Sequence, residues 1–192
     1  MDLRRALLVL LSSVPLSLAC GGARDPAGAA TPTAPTASPI ERYFPLEEGK
    51  IYHYVTRDGP ESGMLVAKVK RADAGHGELR LSNATKRFTI SEAGVAYQDG
   101  AFILKAPIEV GTSWKGEHGG TTKITATDAA VTVPAGSYAG CVRTVEEGGR
   151  PEGARYENTY CAGVGMVLLV VEAGGNAARA ELKSYGMPVK IE

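Results

Sequence analysis

The chain lacks most of the marks that announce chemistry. It has only three histidines, His53, His76 and His118, and none has a Cys or His partner at metal-ligand spacing. It has no G-x-S-x-G elbow: in Gly136-Ser137-Tyr-Ala-Gly140 the glycine directly precedes the serine. Gly163-Val-Gly165 is too short for a phosphate loop. No charge excess exists, because 21 basic residues balance 21 acidic ones. Setting aside Arg4, Arg5, Arg24, Asp2 and Asp25 leaves 18 basic and 19 acidic residues in 40–192. That balance speaks against nucleic acid as a partner and against a multi-site calcium binder. No cofactor, metal site or catalytic residue is implied.

Long hydrophobic runs are also missing, with one informative exception. Ala6 to Ala19 is an apolar run of 14 residues behind Arg4 and Arg5. A spanning helix needs about 20 apolar residues, and Pro15 removes a helix hydrogen bond. The run therefore reads as an export signal, residues 1–19, cut either as an ordinary signal peptide near Ala19 or a little later, or as a lipoprotein signal before Cys20. Leu16-Ser17-Leu18-Ala19 before Cys20 resembles the bacterial lipobox. The resemblance implies lipidation (palmitate-type acyl groups) of Cys20 and attachment to a membrane. Gly21 stands where an aspartate commonly retains lipoproteins at the inner membrane. In a two-membrane cell the resemblance therefore implies the outer membrane, with the protein facing the periplasm or the cell surface.

Residues 20–39 follow as a tether. Gly21 to Pro39 carries no large apolar side chain and four prolines, so it cannot offset its chain entropy by burial. At about 3.1 Å per residue it reaches roughly 60 Å. Residues 40–192 then form one domain of 153 residues, enough for a real core.

That domain shows no capped helical periodicity. It shows two-residue alternation instead. Leu65, Ala67 and Val69 alternate with Lys68 and Lys70; Phe88 and Ile90 alternate with Arg87 and Thr89; Ala178, Ala180 and Leu182 alternate with Arg179 and Glu181. Glycine-rich breaks separate the runs. The pattern predicts an all-β domain of roughly ten or more strands, an antiparallel meander curled into a barrel-like or sandwich form. Val164 to Val171 carries no polar residue, which predicts a strand covered on both faces, or one with a face that lines an apolar cavity or meets a partner. The aromatics Tyr43, Phe44, Tyr52, Tyr54 and Trp114 read as core residues.

With Cys20 assigned to lipid, Cys141 and Cys161 remain as a pair, which in an oxidising compartment points to a disulfide. The turn between them is rich in Gly148, Gly149, Pro151 and Gly153. If the hairpin centres on Pro151, residue i faces 302 − i, and Cys141 faces Cys161.

Four segments resemble a family of uncharacterised bacterial secreted proteins and lipoproteins. Tyr43-Phe-Pro-Leu-Glu-Glu-Gly-Lys-Ile-Tyr-His-Tyr54 is similar to its "YPL-x-x-G-x-x-W-x-Y" opening, with Tyr52 in place of tryptophan. Ala106 to Trp114 is similar to "LP-x-x-x-G-x-x-W". Val131-Thr-Val-Pro-Ala-Gly-Ser-Tyr138 with Cys141 resembles "VPAGTF…C". Tyr160-Cys-Ala-Gly-Val-Gly-Met-Val167 resembles "YAPGVGLV", with Ala162 in place of proline. The resemblance implies an all-β envelope domain without established catalytic residues. Two functions follow as expectations. The first is a non-catalytic module that binds an envelope protein or glycan or supports an assembly. The second is a carrier or sensor of an apolar ligand held in a curved sheet. A lined cavity of several hundred Å³ favours the second, and a filled core favours the first.

Overall fold

The computed structural model describes residues 39–189. The expected leader, Cys20 and all of the expected tether except Pro39 lie outside the described residues.

Alternating residues in the domain form twelve antiparallel strands. They are β1 (Ile51–Asp58), β2 (Glu61–Arg71), β3 (His76–Arg80), β4 (Thr85–Ser91), β5 (Gly94–Tyr97), β6 (Phe102–Lys105), β7 (Ser113–Lys115), β8 (Thr121–Val133), β9 (Gly136–Glu147), β10 (Arg155–Cys161), β11 (Gly165–Ala173) and β12 (Asn176–Gly186). The only helical turn among the described residues is a 3-10 turn at Glu41–Tyr43. All twelve strands share one sheet, ordered β6-β5-β4-β3-β2-β1-β12-β11-β10-β9-β8-β7. Each strand pairs with its neighbours in sequence. The exceptions are the β1–β12 ladder, which joins the two ends of the meander, and the β6–β7 gap. The sheet is thus a nearly closed barrel, open along one seam.

Side chains close that seam where the backbone does not. Trp114 Nε1 on β7 donates to the Phe102 carbonyl on β6 at 2.8 Å. Glu117, in the turn after β7, accepts from the Tyr97 hydroxyl and pairs with Lys86 at 2.7 Å. The two sheet edges face each other across this seam, which limits their access to outside strands.

The hairpin β9–β10 follows the expected register. Tyr156 faces Glu146, Asn158 faces Thr144 and Tyr160 faces Val142, each pair obeying the 302 rule. Cys141 and Cys161 are joined as a disulfide with Cα atoms 4.3 Å apart, the close spacing of a non-hydrogen-bonded pair.

The strand Val164–Val171 is buried from Val164 to Leu168, Met166 excepted. Val167 and Leu168, at the register shift in the β10–β11 ladder, are both buried. Leu169, Val170 and Val171 are half-exposed. The β11–β12 ladder ends at Leu168–Glu181. Beyond it the tip of the β8–β9 hairpin fills the free edge, with Ala135 N donating to the Leu182 carbonyl at 2.9 Å. Irregular register after Ile124, Ala126 and Ala129 bends that hairpin far enough to reach β12.

Inside the barrel lies an aromatic cluster. Phe44 meets Phe88 edge-on at 5.2 Å and Tyr160 at 6.3 Å, and Phe88 meets Tyr97 at 5.3 Å. Tyr43, Phe44, Tyr52, Tyr54 and Trp114 are all buried, as their strand and turn positions predict.

Candidate functional site

The inner face of the barrel contains an apolar pocket of about 140 Å³. One wall is Phe44, Pro45 and Leu46, the segment that follows the 3-10 turn. Tyr52 and Tyr54 enter from β1, Leu65 and Ala67 from β2, and Leu79 from β3. These are alternate residues on paired strands, so they share one face: Tyr52 faces Ala67 and Tyr54 faces Leu65. Gly165 and Met166 close the far wall from β11. Leu46 can sit deep because β3 carries Gly77 there. A β-carbon on Gly77 would stand 2.8 Å from Leu46 Cδ1.

Two segments more than a hundred residues apart in sequence thus meet at this pocket: 43–54 and 160–167. They are tied by polar contacts as well as by packing. Tyr54 donates its hydroxyl to the Met166 carbonyl at 2.9 Å, and Tyr52 donates to the Pro45 carbonyl at 3.2 Å. Gly163 N donates to the Arg42 carbonyl at 2.7 Å. Lys50, buried beneath the rings of Tyr52 and Tyr185, donates to Glu47 at 3.0 Å and to the Gly163 carbonyl.

The electrostatics of the pocket suit binding rather than proton transfer. Burial pushes both tyrosine hydroxyls well above the ordinary tyrosine range, with the Glu47 charge adding to the effect at Tyr52 and Tyr52 itself adding at Tyr54. Both stay protonated donors to backbone carbonyls at neutral pH. The one formally charged lining residue, Lys86, is engaged by Glu117. What remains is an apolar wall whose polar groups are satisfied internally.

A second constellation escaped the sequence reading. Glu146 points inward from β9 into the turn after β7. One carboxylate oxygen accepts from His118 N at 2.9 Å and Gly120 N at 3.1 Å, and the other meets His118 Nδ1 at 3.1 Å. The imidazole lies flat on the Tyr156 ring, with centroids 3.5 Å apart. Gly116 makes room: a β-carbon there would overlap the Glu146 carboxyl. A carboxylate–imidazole pair occurs in acyl-transfer sites, but among the described residues no serine, threonine or cysteine hydrogen-bonds His118. The pair acts as a lock on the turn. One signal in the sequence was available: Glu146 has the same strand parity as Val142 and Thr144, hence the same inward face.

The other residues weighed in the sequence stay apart. His53 meets Ser184, and His76 meets Asp73. Ser137 bonds Thr132 on the bent hairpin. Among the described residues no group of three His, Cys, Asp or Glu side chains is placed to hold a metal.

No protein-family model matches the chain, and no curated protein matches it. Among solved structures it is similar to a Bacteroides fragilis NCTC 9343 protein described provisionally as exported, with a YmcC-like fold. That likeness has 12% identity over 75% of this chain and 98% of that one, with a TM-score of 0.49. It is also similar to a protein of Parabacteroides distasonis ATCC 8503 described provisionally as a lipoprotein. Here the identity is 11%, the coverage 75% and 98%, and the TM-score 0.45. At this identity and overlap neither likeness bears on function.

Proposed function

We propose that this protein is a membrane-anchored envelope lipoprotein whose β unit is a non-catalytic binding module, with the inner apolar pocket as its binding site. The anchor is lipid on Cys20, and the spacer to Pro39 holds the unit off the bilayer. The observation that carries the binding assignment is the pocket wall. It is apolar, its two tyrosine hydroxyls are committed to backbone carbonyls, and its lysine is paired. An enclosed apolar space of about 150 Å³ is enough to take up benzene, and this pocket is nearly that size. The pocket volume is below the roughly 300 Å³ at which sites for whole drug-sized ligands begin. It therefore accepts one apolar group and leaves the remainder of a ligand outside.

Methyl-detected NMR tests this reading. Met166 lines the pocket, whereas Met64 is exposed on the outer face of β2. Titration with p-xylene should shift Met166 and leave Met64 in place. Equal shifts at both, or none at Met166, would refute the pocket. The anchoring half of the proposal is tested separately. A fatty-acid analogue fed to cells should label wild type and not Cys20→Ser, and the serine variant should leave the membrane fraction.

A further inference from the structure

We propose that the inner face holds one fatty acyl chain of a membrane lipid, laid from the Leu46 end of the pocket past Leu65 to the open rim of the barrel. This deepens the pocket-binding reading and rests on it.

The pocket does not end blindly. Leu65 also lines a second, more open cavity of about 390 Å³. Its wall continues the same inner face two residues further along each strand. Thr56 on β1 faces Gly63 on β2 and Ala180 on β12. Ala180 faces Leu169 on β11, and Ala178 faces Val171. Gly63, Ala178 and Ala180 are too small to reach across the barrel, so the register leaves a trough floored by small residues and flanked by leucine and valine.

The trough is long. From Ala67 to Gly63 the strand advances four residues, about 13 Å. An extended alkyl chain with bonds near 1.5 Å advances about 1.25 Å per carbon, so roughly ten carbons fit along it. The benzene-sized inner end suits the width of a single chain and not a fused ring system.

Polar accounting favours an acyl chain over a peptide. The tyrosine hydroxyls in the wall are already donating. The wall strands are paired to neighbours on both sides. A peptide buried here would leave its own N–H and C=O groups unpaired, at a cost of kilocalories each. Methylenes need no partner. The source follows from the chain outside the structure. The spacer from Cys20 ends at Pro39, and its reach of roughly 60 Å lets the open rim of the trough meet the bilayer. A unit held to a bilayer by this spacer meets acyl chains at high effective concentration. Asp58, Glu61, Arg57 and Arg179 at the rim carry both signs, so the chain and not the head group sets the selection.

The test uses the full chain exported as Cys20→Ser, which carries no acyl groups of its own. A fluorescent polyene fatty acid should bind saturably, one per protein, and be displaced by palmitate. Leu65→Trp, which fills the junction of the two cavities, should weaken binding by about tenfold or more. Val66→Trp, one residue along on the outer face, should bind like the parent. If Leu65→Trp fails to melt cooperatively, Ala180→Leu replaces it as the blocking variant. Incubation with phosphatidylethanolamine–phosphatidylglycerol vesicles, then re-isolation and extraction, should recover one lipid per protein. Absence of saturable binding, or equal loss in Leu65→Trp and Val66→Trp, would overturn the proposal. Palmitate binding without lipid pick-up from vesicles would overturn the membrane source and point to the protein's own anchor. A p-xylene shift at Met166 without acyl binding would sink this inference and leave the pocket standing.

Discussion

Two halves of one inner face carry very different amounts of side chain. Toward the β6–β7 seam, Phe88, Tyr97, Leu104, Trp114, Ile124 and Tyr160 fill the barrel, and Leu104 and Ile124 have no exposure at all. Toward the β1–β2 turn, the same ladder positions carry Thr56, Gly63, Ala178 and Ala180, and the interior is open. The backbone geometry is the same antiparallel sheet in both halves. What differs is residue volume. An inner face becomes core or cavity according to which side chains its register delivers there.

The contrast predicts a steep gradient of mutational cost. Trp114→Ala should destabilise most, by about 3–5 kcal/mol in denaturant unfolding, because it removes a buried indole. It also leaves the Phe102 carbonyl without its donor and frees the seam. A loss below about 1 kcal/mol would mean that the filled half is less packed than its burial implies. Removing the disulfide with Cys141→Ser and Cys161→Ser should cost about 3 kcal/mol, the loop-entropy value for a separation of 20 residues. Wild type made in an oxidising compartment should show no free thiol at these positions.

Raising the pH should unfold the domain. Tyr97 and Tyr160 have pKa values raised first by burial and then by the Glu117 charge, and Tyr54 is raised by burial. A raised folded pKa means that the stability these hydroxyls contribute is complete below the unfolded value of 10.0 and falls as pH climbs above it. Tyrosinate absorbance should therefore rise together with loss of the circular dichroism signal, and not before it. Titration of all tyrosines in a still-folded protein would contradict the packing. The smallest effect belongs to the open half. Ala180→Leu should change stability by only about 0.5 kcal/mol, because the added methylenes enter empty space. Its melting temperature should stay near wild type while its binding of apolar probes falls.

Much of the fold was legible because strand sequences carry their own period. The 3-10 turn aside, the described domain has the all-strand content that alternation predicts. Counting from Pro151 placed Cys141 opposite Cys161 and gave the observed β9–β10 pairs. That hairpin was readable because its turn is local and nothing distant competes for its register. The strand Val164–Val171 was readable only in part. Its uninterrupted apolar run left a strand covered on both faces and one lining an apolar cavity as alternatives, and Leu169 and Val171 do border an open cavity. It did not show that the bent hairpin tip meets the adjacent β12 edge. The Glu146–His118 lock was missed. A glutamate at an inward position looks like any other until the glycine-rich turn that receives it is brought across from β7.

The sequence by itself determined the strand-rich class, the β9–β10 register and the partner of each domain cysteine, because alternation and turn chemistry act over a few residues. Only the tertiary structure decided that β1 pairs with β12, that Trp114 reaches across the seam to Phe102, and that residues 43–54 meet 160–167 around an apolar pocket. Those contacts join residues far apart in the chain or strands that share no hairpin. No local pattern specifies such contacts. They form only when burying the common inner face offsets the entropy of closing the barrel.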